Sequence, residues 1–398
     1  MLTSVIHPHI IENIDFRRYI VMAFWNRSKK QGNNYNNNVK EIILSGLDLG
    51  YGQIKIAAKT KGEFKNKKFL SAVGTPISNF GRNVAIVTEQ ELINSLSITL
   101  DGQNYYVGKN AIINTRNGRL TLRQSKSDDI HNKVKFLTSL ALLTDMYQEE
   151  AEFDIITGLP VLEFRNESEA LERMIYNNGK PFEFKMNYGD VTVNKKFHIG
   201  AIKIISQGEG AFYDFVLDNN GEIIPERAAI VGGTVMVVDI GYRTTDIVTM
   251  ENGRYIEPLS DQFNKGVNTI HQEILRLIME EFSIKKELKD LDQIVRERSF
   301  MHNTRTYDID HIITKAAKPF AEDIIENLHT ISNDQLGAVN HIIFTGGGSE
   351  IIYEFAEKLL RNIVESSLME NAEFCNSNGY YKYGLLLQNA QKQVDNNA

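Results

Sequence analysis

Two turns of the same chemical make, about 190 residues apart, constrain this chain more than anything else in its sequence. The first is Leu47-Asp48-Leu49-Gly50-Tyr51-Gly52-Gln53-Ile54-Lys55, in which an apolar run delivers a carboxylate to its end and glycines follow at once. Gly50 and Gly52 let the backbone turn tightly and offer N–H groups to an anion. Lys55 then reaches a phosphate as a point charge. The second is Val238-Asp239-Ile240-Gly241-Tyr242-Arg243-Thr244-Thr245-Asp246. It repeats the Asp-x-Gly core and adds, in Thr244 and Thr245, two hydroxyls for phosphate oxygens or Mg²⁺-bound water.

A third turn, Phe344-Thr345-Gly346-Gly347-Gly348-Ser349, follows an apolar run and precedes a helical pattern. Its glycines allow close backbone approach to a flat or anionic ligand, with a helix N-terminus behind them. Taken singly, a strand-end Asp-x-Gly turn is commonly a plain hairpin, and a glycine triplet commonly only starts a helix. Their order and separation carry the signal. A pair of carboxylates suits a Mg²⁺–nucleotide, because Mg²⁺ keeps most of its waters and carboxylates hold those waters in place.

Several other chemistries are excluded. No Gly-x-x-x-x-Gly-Lys-Ser/Thr string occurs, and no Gly-x-Gly-x-x-Gly opens a helix, so neither a P-loop nor a dinucleotide fingerprint is present. His7 and His9 stand two apart near the N-terminus, and the other histidines show no i, i+4 pairing, so histidine catalysis and a zinc site lack support. Ser206 lacks the Gly-x-Ser-x-Gly setting of a serine hydrolase. With 44 Lys+Arg against 51 Asp+Glu the net charge is −7, a sign that does not recruit nucleic acid. The single cysteine, Cys375, cannot form an internal disulfide, and a reducing, cytoplasmic setting is expected.

Length and pattern give the organisation. A chain of 398 residues suggests two domains, or three. Residues 1–40 read as an arm with an Asn-rich linker, Gln31-Gly-Asn-Asn-Tyr-Asn-Asn-Asn38, that has nothing to bury. Ile10, Ile11, Ile14 and Tyr19 have rough helical spacing, which leaves a membrane contact through residues 10–25 open beside a solvated arm. The apolar run Tyr19–Trp25 is too short to span a bilayer and lacks the flanks of a secretory signal.

From Glu41 onward, apolar runs predict strands at 42–49, 54–58, 69–73, 153–157 and 201–205, and a hairpin over 182–197 around Tyr188-Gly189-Asp190. The lysine-rich segment Lys59–Lys68 reads as a solvated hairpin tip. Helical spacing marks residues 137–147, entered through Ser127-Asp-Asp, and a helix from Gly210 to Leu217. Then the opening repeats in kind, with strands at 235–240 and 247–250, helices at 267–282 and 310–328, a strand at 341–344 and a helix at 351–363. Two such openings suggest two α/β domains of related plan.

On these motifs the chain resembles the actin/heat-shock-chaperone/sugar-kinase superfamily of ATPases. Asp48-x-Gly50…Lys55 looks like its first phosphate motif, Asp239-x-Gly241…Thr245-Asp246 like its second, and Gly346-Gly347-Gly348 like its adenosine motif. Asp-Ile-Gly-x-Arg-Thr-Thr-Asp, Gly158-Leu-Pro160, and Asn378-Gly379-Tyr380 before a terminal helix are similar to ParM-type and archaeal-type actins. The resemblance spans about residues 41–390.

It implies an α/β fold of two RNase-H-like (actin-fold) domains flanking a nucleotide cleft. Domain I would be 41–222, with 370–390 packing back on it; domain II would be 223–369; and 391–398 would be a frayed tail. Asp48 and Asp239 would hold Mg²⁺ through water, Lys55 would neutralise phosphate charge, and Gly346–Ser349 would pack on adenosine, with Gly266 facing the nucleotide. The water-orienting residue falls in Ile205-Ser206-Gln207-Gly208-Glu209-Gly210, where position favours Gln207 over Glu209.

The implied function is hydrolysis of ATP, with GTP as the alternative, in a cytomotive filament that separates plasmids through a DNA-binding adaptor or positions cell contents. A membrane-tethered division or shape actin, and a non-polymerising kinase-like ATPase, are the competing readings.

Overall fold

The computed structural model describes residues 42–76, 88–116, 119–120, 130–189 and 191–396. The arm with its residues 10–25, His7 and His9, the helix start at Ser127-Asp-Asp and the hairpin residue Asp190 lie outside the described residues. The chain divides into two compact units, one ending at Gly232 and resuming at Phe374, the other spanning Gly233–Glu373. That division falls later than residue 222, because the segment after it stays tied to the first unit: Ile224 N–H donates to the Val216 carbonyl at 2.9 Å.

The first unit is built on strands β1 (Ile42–Leu49), β2 (Gln53–Thr60), β3 (Glu63–Leu70), β4 (Ala72–Gly74), β5 (Ser97–Leu100), β6 (Gln103–Val107), β7 (Arg119–Leu120), β8 (Glu150–Leu159), β9 (Phe182–Tyr188) and β10 (Val191–Ser206). They form one sheet in the order β3-β2-β1-β8-β10-β9-β5-β6-β4-β7. β1 pairs antiparallel with β2 and parallel with β8, which pairs parallel with β10. The meander followed by two parallel strands is the RNase-H-like plan. The central β1 and β8 are buried almost throughout, which is why they read as continuous apolar runs rather than as alternating patterns.

Helices α1 (Ile130–Ala141), α2 (Val161–Tyr176) and α3 (Gln207–Val216) belong to this unit, as does the last helix of the chain, Cys375–Asn396. Main chain meets main chain there: a Cβ on Gly46 of β1 would collide with the Ser377 carbonyl of that last helix and stand 2.7 Å from Tyr381 N. Glycine in a strand interior marks such a close approach.

The second unit repeats the plan with strands β11 (Thr234–Ile240), β12 (Thr245–Glu251), β13 (Arg254–Tyr255), β14 (Asp261–Phe263), β15 (Ser299–His302), β16 (Arg305–Asp308), β17 (His341–Thr345) and β18 (Ser366–Leu368). The sheet order is β13-β12-β11-β17-β18, with β14 also on β12 and β15–β16 as a separate hairpin. β11 is the counterpart of β1, antiparallel to β12 and parallel to β17. Helices α4 (Val267–Phe282), α5 (Asp310–Ile331) and α6 (Ser349–Leu360) cover it. α4 buries Val267, Ile270, Ile274, Leu277 and Ile278, the i, i+3, i+4 stripe of a core-facing helix. Each unit has its own apolar core, with Leu47, Ile54, Phe153 and Phe197 in one and Val238, Ile270, Phe320 and Phe344 in the other.

Several expectations need correction. The lysine-rich segment is not a tip: Lys61-Gly62 alone turns, and Glu63–Leu70 is an edge strand. Lysines on an exposed edge discourage pairing with another chain, and that use leaves no apolar signature to read. Residues 201–205 are not a separate strand but the far end of β10, which passes an irregularity between Ile199 and Ala201. The helix expected to reach Tyr147 stops at Ala141.

Asn378-Gly379-Tyr380 lies inside the terminal helix, not before it, and that helix, hereafter α7 (Cys375–Asn396), continues to Asn396, the last described residue of the segment expected to fray. Its polar side chains near that end have partners in the first unit: Gln388 donates to Asp154 Oδ2 at 3.4 Å and Asn389 to the Asn220 carbonyl at 3.0 Å. Among the described residues, no helix is long and apolar enough to cross a membrane.

Candidate functional site

In the first unit, the β1–β2 register sets Asp48 directly across from Lys55. The ammonium lies 3.6 Å from Asp48 Oδ2. Asp48 is only 2% exposed, and its Oδ1 is buried without a hydrogen-bond partner. A buried carboxylate oxygen left unsatisfied is destabilising, and a bound donor or a hydrated cation is what relieves it. Gly50 is required sterically, since a Cβ there would stand 2.6 Å from the Gln53 carbonyl. The Gly52 carbonyl accepts from Ser71 N–H at 3.0 Å, which ties the turn to the sheet. Tyr51, between the two glycines, donates its hydroxyl to Glu163 of α2 at 2.7 Å. Nothing in the sequence near Tyr51 points to a partner so distant along the chain.

In the second unit, Asp239 occupies the equivalent strand end, 2% exposed, opposite Asp246 of β12 and beside Thr345 of β17. The turn closes through Gly241 N–H to the Thr244 carbonyl at 2.9 Å. α4 starts against this turn: Val267 N–H donates to the Gly241 carbonyl and Asn268 N–H to the Tyr242 carbonyl, each at 3.0 Å. Gly266 makes that approach possible, since a Cβ would lie 2.5 Å from the Gly241 carbonyl oxygen. Thr245 spends its hydroxyl on the Lys265 carbonyl at 2.8 Å, and Thr244 is buried beside it.

The third turn closes on the second. Gly346 has φ +82°, the left-handed region that favours glycine, and a Cβ there would lie 2.5 Å from Asp239 Oδ1. Gly348 N–H donates to the Ile240 carbonyl at 3.1 Å. Ser349 is buried, with its hydroxyl on the Thr345 carbonyl, so it holds the start of α6. Gly347 is exposed, and a Cβ there would meet nothing within 4 Å. The structure thus gathers Asp239, Gly241, Gly266, Gly346 and Gly348 at one end of the second sheet. Asp48, Gly50, Gly52, Lys55 and Gln207 belong to the first unit. Among the described residues, no group of three His, Cys, Asp or Glu side chains could hold a metal directly. Asp48, in the first unit, keeps an unsatisfied buried oxygen of the kind a water-held cation relieves, and Asp239 occupies the equivalent strand end of the second unit.

Gln207 is the first residue of α3, half-buried, following Ser206 at the N-cap. Glu209, its competitor, turns back so that Oε1 accepts Ser206 N–H at 2.8 Å, as the third residue of a helix does in a capping box. Burial raises the Glu209 carboxyl to about 7, against the lowering effect of that hydrogen bond. The folded value lies above the ordinary 4.5, so the native state binds the extra proton. The stability this contributes is complete below the unfolded value and is lost as pH rises through about 7. Glu209→Gln keeps the capping acceptor and removes the charge. The melting temperature of the parent chain should fall relative to that variant between about pH 5 and pH 8; parallel curves would place the titrating group elsewhere.

Two RNase-H-like units, each ending its first strand in a buried aspartate and a glycine turn, define an actin-fold protein. Residues 46–210 match the N-terminal domain of actin-like proteins, and residues 237–358 match the C-terminal domain of the archaeal, MreB-like actin homologue. The chain belongs to the actin-like proteins.

An archaeal actin homologue from Thermoplasma acidophilum is 23% identical over 354 residues, covering 85% of this chain and 98% of the relative. Among solved structures, a 15-stranded ParM filament from Clostridium botulinum has a TM-score of 0.68 at 22% identity, covering 86% of this chain and 99% of the other. An archaeal actin homologue in complex with ADP has a TM-score of 0.66 at 20% identity, covering 86% and 99%.

Proposed function

We propose that this chain is an actin-like ATPase that assembles into filaments under the control of its nucleotide. The observation that carries the reading is the repeated strand-end turn. Asp48 and Asp239 occupy the same place in two sheets of the same plan, each buried and each followed two residues on by a glycine, where a Cβ would stand 2.6 Å from the Gln53 carbonyl at Gly50 and 3.2 Å from the Thr244 carbonyl at Gly241. The solved relatives, one a filament and one bound to ADP, support it.

In this reading Asp48 and Asp239 hold Mg²⁺ through water, and the cation, when bound, offsets the charge of the phosphates. Lys55 adds a fixed positive charge at the first turn. Gly50 and Gly52 in one unit, and Gly241, Thr244, Thr245 and Asp246 in the other, shape the turns that receive the phosphates. Gly266 and the Gly346–Gly348 turn, with Ser349 holding the helix behind it, form the adenosine side, where exposed Gly347 leaves room for a flat ring. Gln207 orients the attacking water. Chemistry of this kind rests on positioning and electrostatics more than on covalent participation.

ATP is the expected nucleotide, with GTP the competitor in the same assay. The cellular role we assign is cytomotive and cytoplasmic, the movement of plasmids through a DNA-binding adaptor or of other cargo. Mg²⁺-dependent phosphate release tests the enzymatic half. Turnover of ATP is expected, and a chain that binds neither ATP nor GTP would refute the reading.

A further inference from the structure

Tyr380 has its ring wholly buried in the first unit, among the largest side chains with no exposure. It reaches from α7 to two backbones at once. A Cβ on Gly158, at the end of β8, would collide with the Tyr380 hydroxyl, and a Cβ on Gly210, in α3, would stand 2.5 Å from its Cε1. Glycine at both places leaves a slot the width of one aromatic ring. The hydroxyl at the bottom of the slot donates to the Gln207 carbonyl at 3.3 Å. A buried phenol needs such a partner, and phenylalanine would fill the same volume without it.

The peptide between Ile205 and Ser206, one residue back, is held as well, because Glu209 Oε1 takes Ser206 N–H at 2.8 Å. The peptide that follows the Gln207 Cα is therefore held by Tyr380, and the peptide that enters Ser206 by Glu209, while the Gln207 side chain itself is only half-buried. Side chains that act on a reaction from a helix's first residue are only as well placed as that backbone, and small displacements carry large rate penalties.

We propose that Tyr380 is a positioning residue for hydrolysis: through its hydroxyl it fixes the backbone of Gln207, and so the place from which Gln207 orients water. The proposal rests on the reading of Gln207 given above. It also assigns α7 a part in the reaction although none of its residues touches the nucleotide in that reading.

The test is a double-mutant cycle of Tyr380→Phe and Gln207→Ala, read by single-turnover phosphate release, by the affinity for a non-hydrolysable ATP analogue, and by backbone hydrogen exchange at residues 207–212 without nucleotide. Tyr380→Phe should slow phosphate release by about 3- to 10-fold, the effect of one lost hydrogen bond, with analogue affinity within about twofold. It should add nothing in the Gln207→Ala background, because the two residues act as a unit. Exchange at the start of α3 should rise in Tyr380→Phe.

Equal slowing in both backgrounds would overturn the proposal, since Tyr380 would then act by another route. So would an unchanged rate with unchanged exchange. If exchange rises in Tyr380→Phe while Gln207→Ala turns over normally, the anchor stands and the catalytic reading of Gln207 is what fails.

Discussion

Replacing Gln207 with alanine should slow phosphate release by about 10- to 100-fold and leave ATP affinity nearly intact. The reason is the division of labour in the first unit. The groups assigned to phosphate and cation, Asp48 and Lys55, sit on β1 and β2, whereas Gln207 opens α3 after β10. Losing it removes no buried apolar volume, because the side chain is half-exposed, and it leaves the capping bond between Glu209 and Ser206 in place. A single-turnover measurement with a binding titration separates the two quantities. Unchanged turnover in Gln207→Ala, with a collapse in Glu209→Ala, would move the role to Glu209. The structure weighs against that outcome, since Glu209 is 7% exposed and directs an oxygen at its own helix start.

The second large effect is on stability. Gly379→Ala should destabilise the first unit by about 3 kcal/mol or more, at the top of the range for overpacking. Helices α3 and α7 cross with their main chains in contact: a Cβ on Gly379 would collide with the Gly210 carbonyl oxygen and stand 2.8 Å from Asp214 N. Backbone atoms cannot turn aside as a side-chain end can, so one helix must move. Moving α7 shifts Tyr380 and the contact with Gly46, while moving α3 shifts Gln207. At about 2–4 °C per kcal/mol for a domain of this size, the first thermal transition should fall by about 6–12 °C. A melting temperature within about 2 °C of the parent would mean that the helices have more room than this crossing allows.

Gly379 also shows where the sequence was legible and where it was not. The central strands could be read because both faces of β1, β8, β11 and β17 are buried, so hydrophobicity alone marks them. α4 could be bounded at Val267 and Phe282 because its apolar stripe is strict and Gly266 precedes it. β3 was hidden, since an edge strand rich in lysine has the composition of a loop. Gly210 weakens the helical pattern of α3 and Gly379 and Gly384 that of α7, which is why neither helix start is legible in the sequence, yet Gly210 and Gly379 are the helix crossing itself. Of the site, the Asp-x-Gly turns were visible because their chemistry is local. The bonds from Tyr51 to Glu163 and from Tyr380 to Gln207 span 112 and 173 positions, and no local pattern announces them.

The central claim is that nucleotide state governs assembly. If ATP favours the conformation that polymerises, linkage requires the polymer to be more stable with ATP than with ADP, typically by about 1–3 kcal/mol per coupled event. Right-angle light scattering, with sedimentation as the check, measures this directly across a protein concentration series in Mg²⁺–ATP, Mg²⁺–ADP and no nucleotide. The account predicts concentration-dependent polymer with Mg²⁺–ATP, a higher critical concentration with ADP, and no polymer without nucleotide. Scattering that stays flat with Mg²⁺–ATP at every concentration, from protein shown to bind the nucleotide, would contradict it.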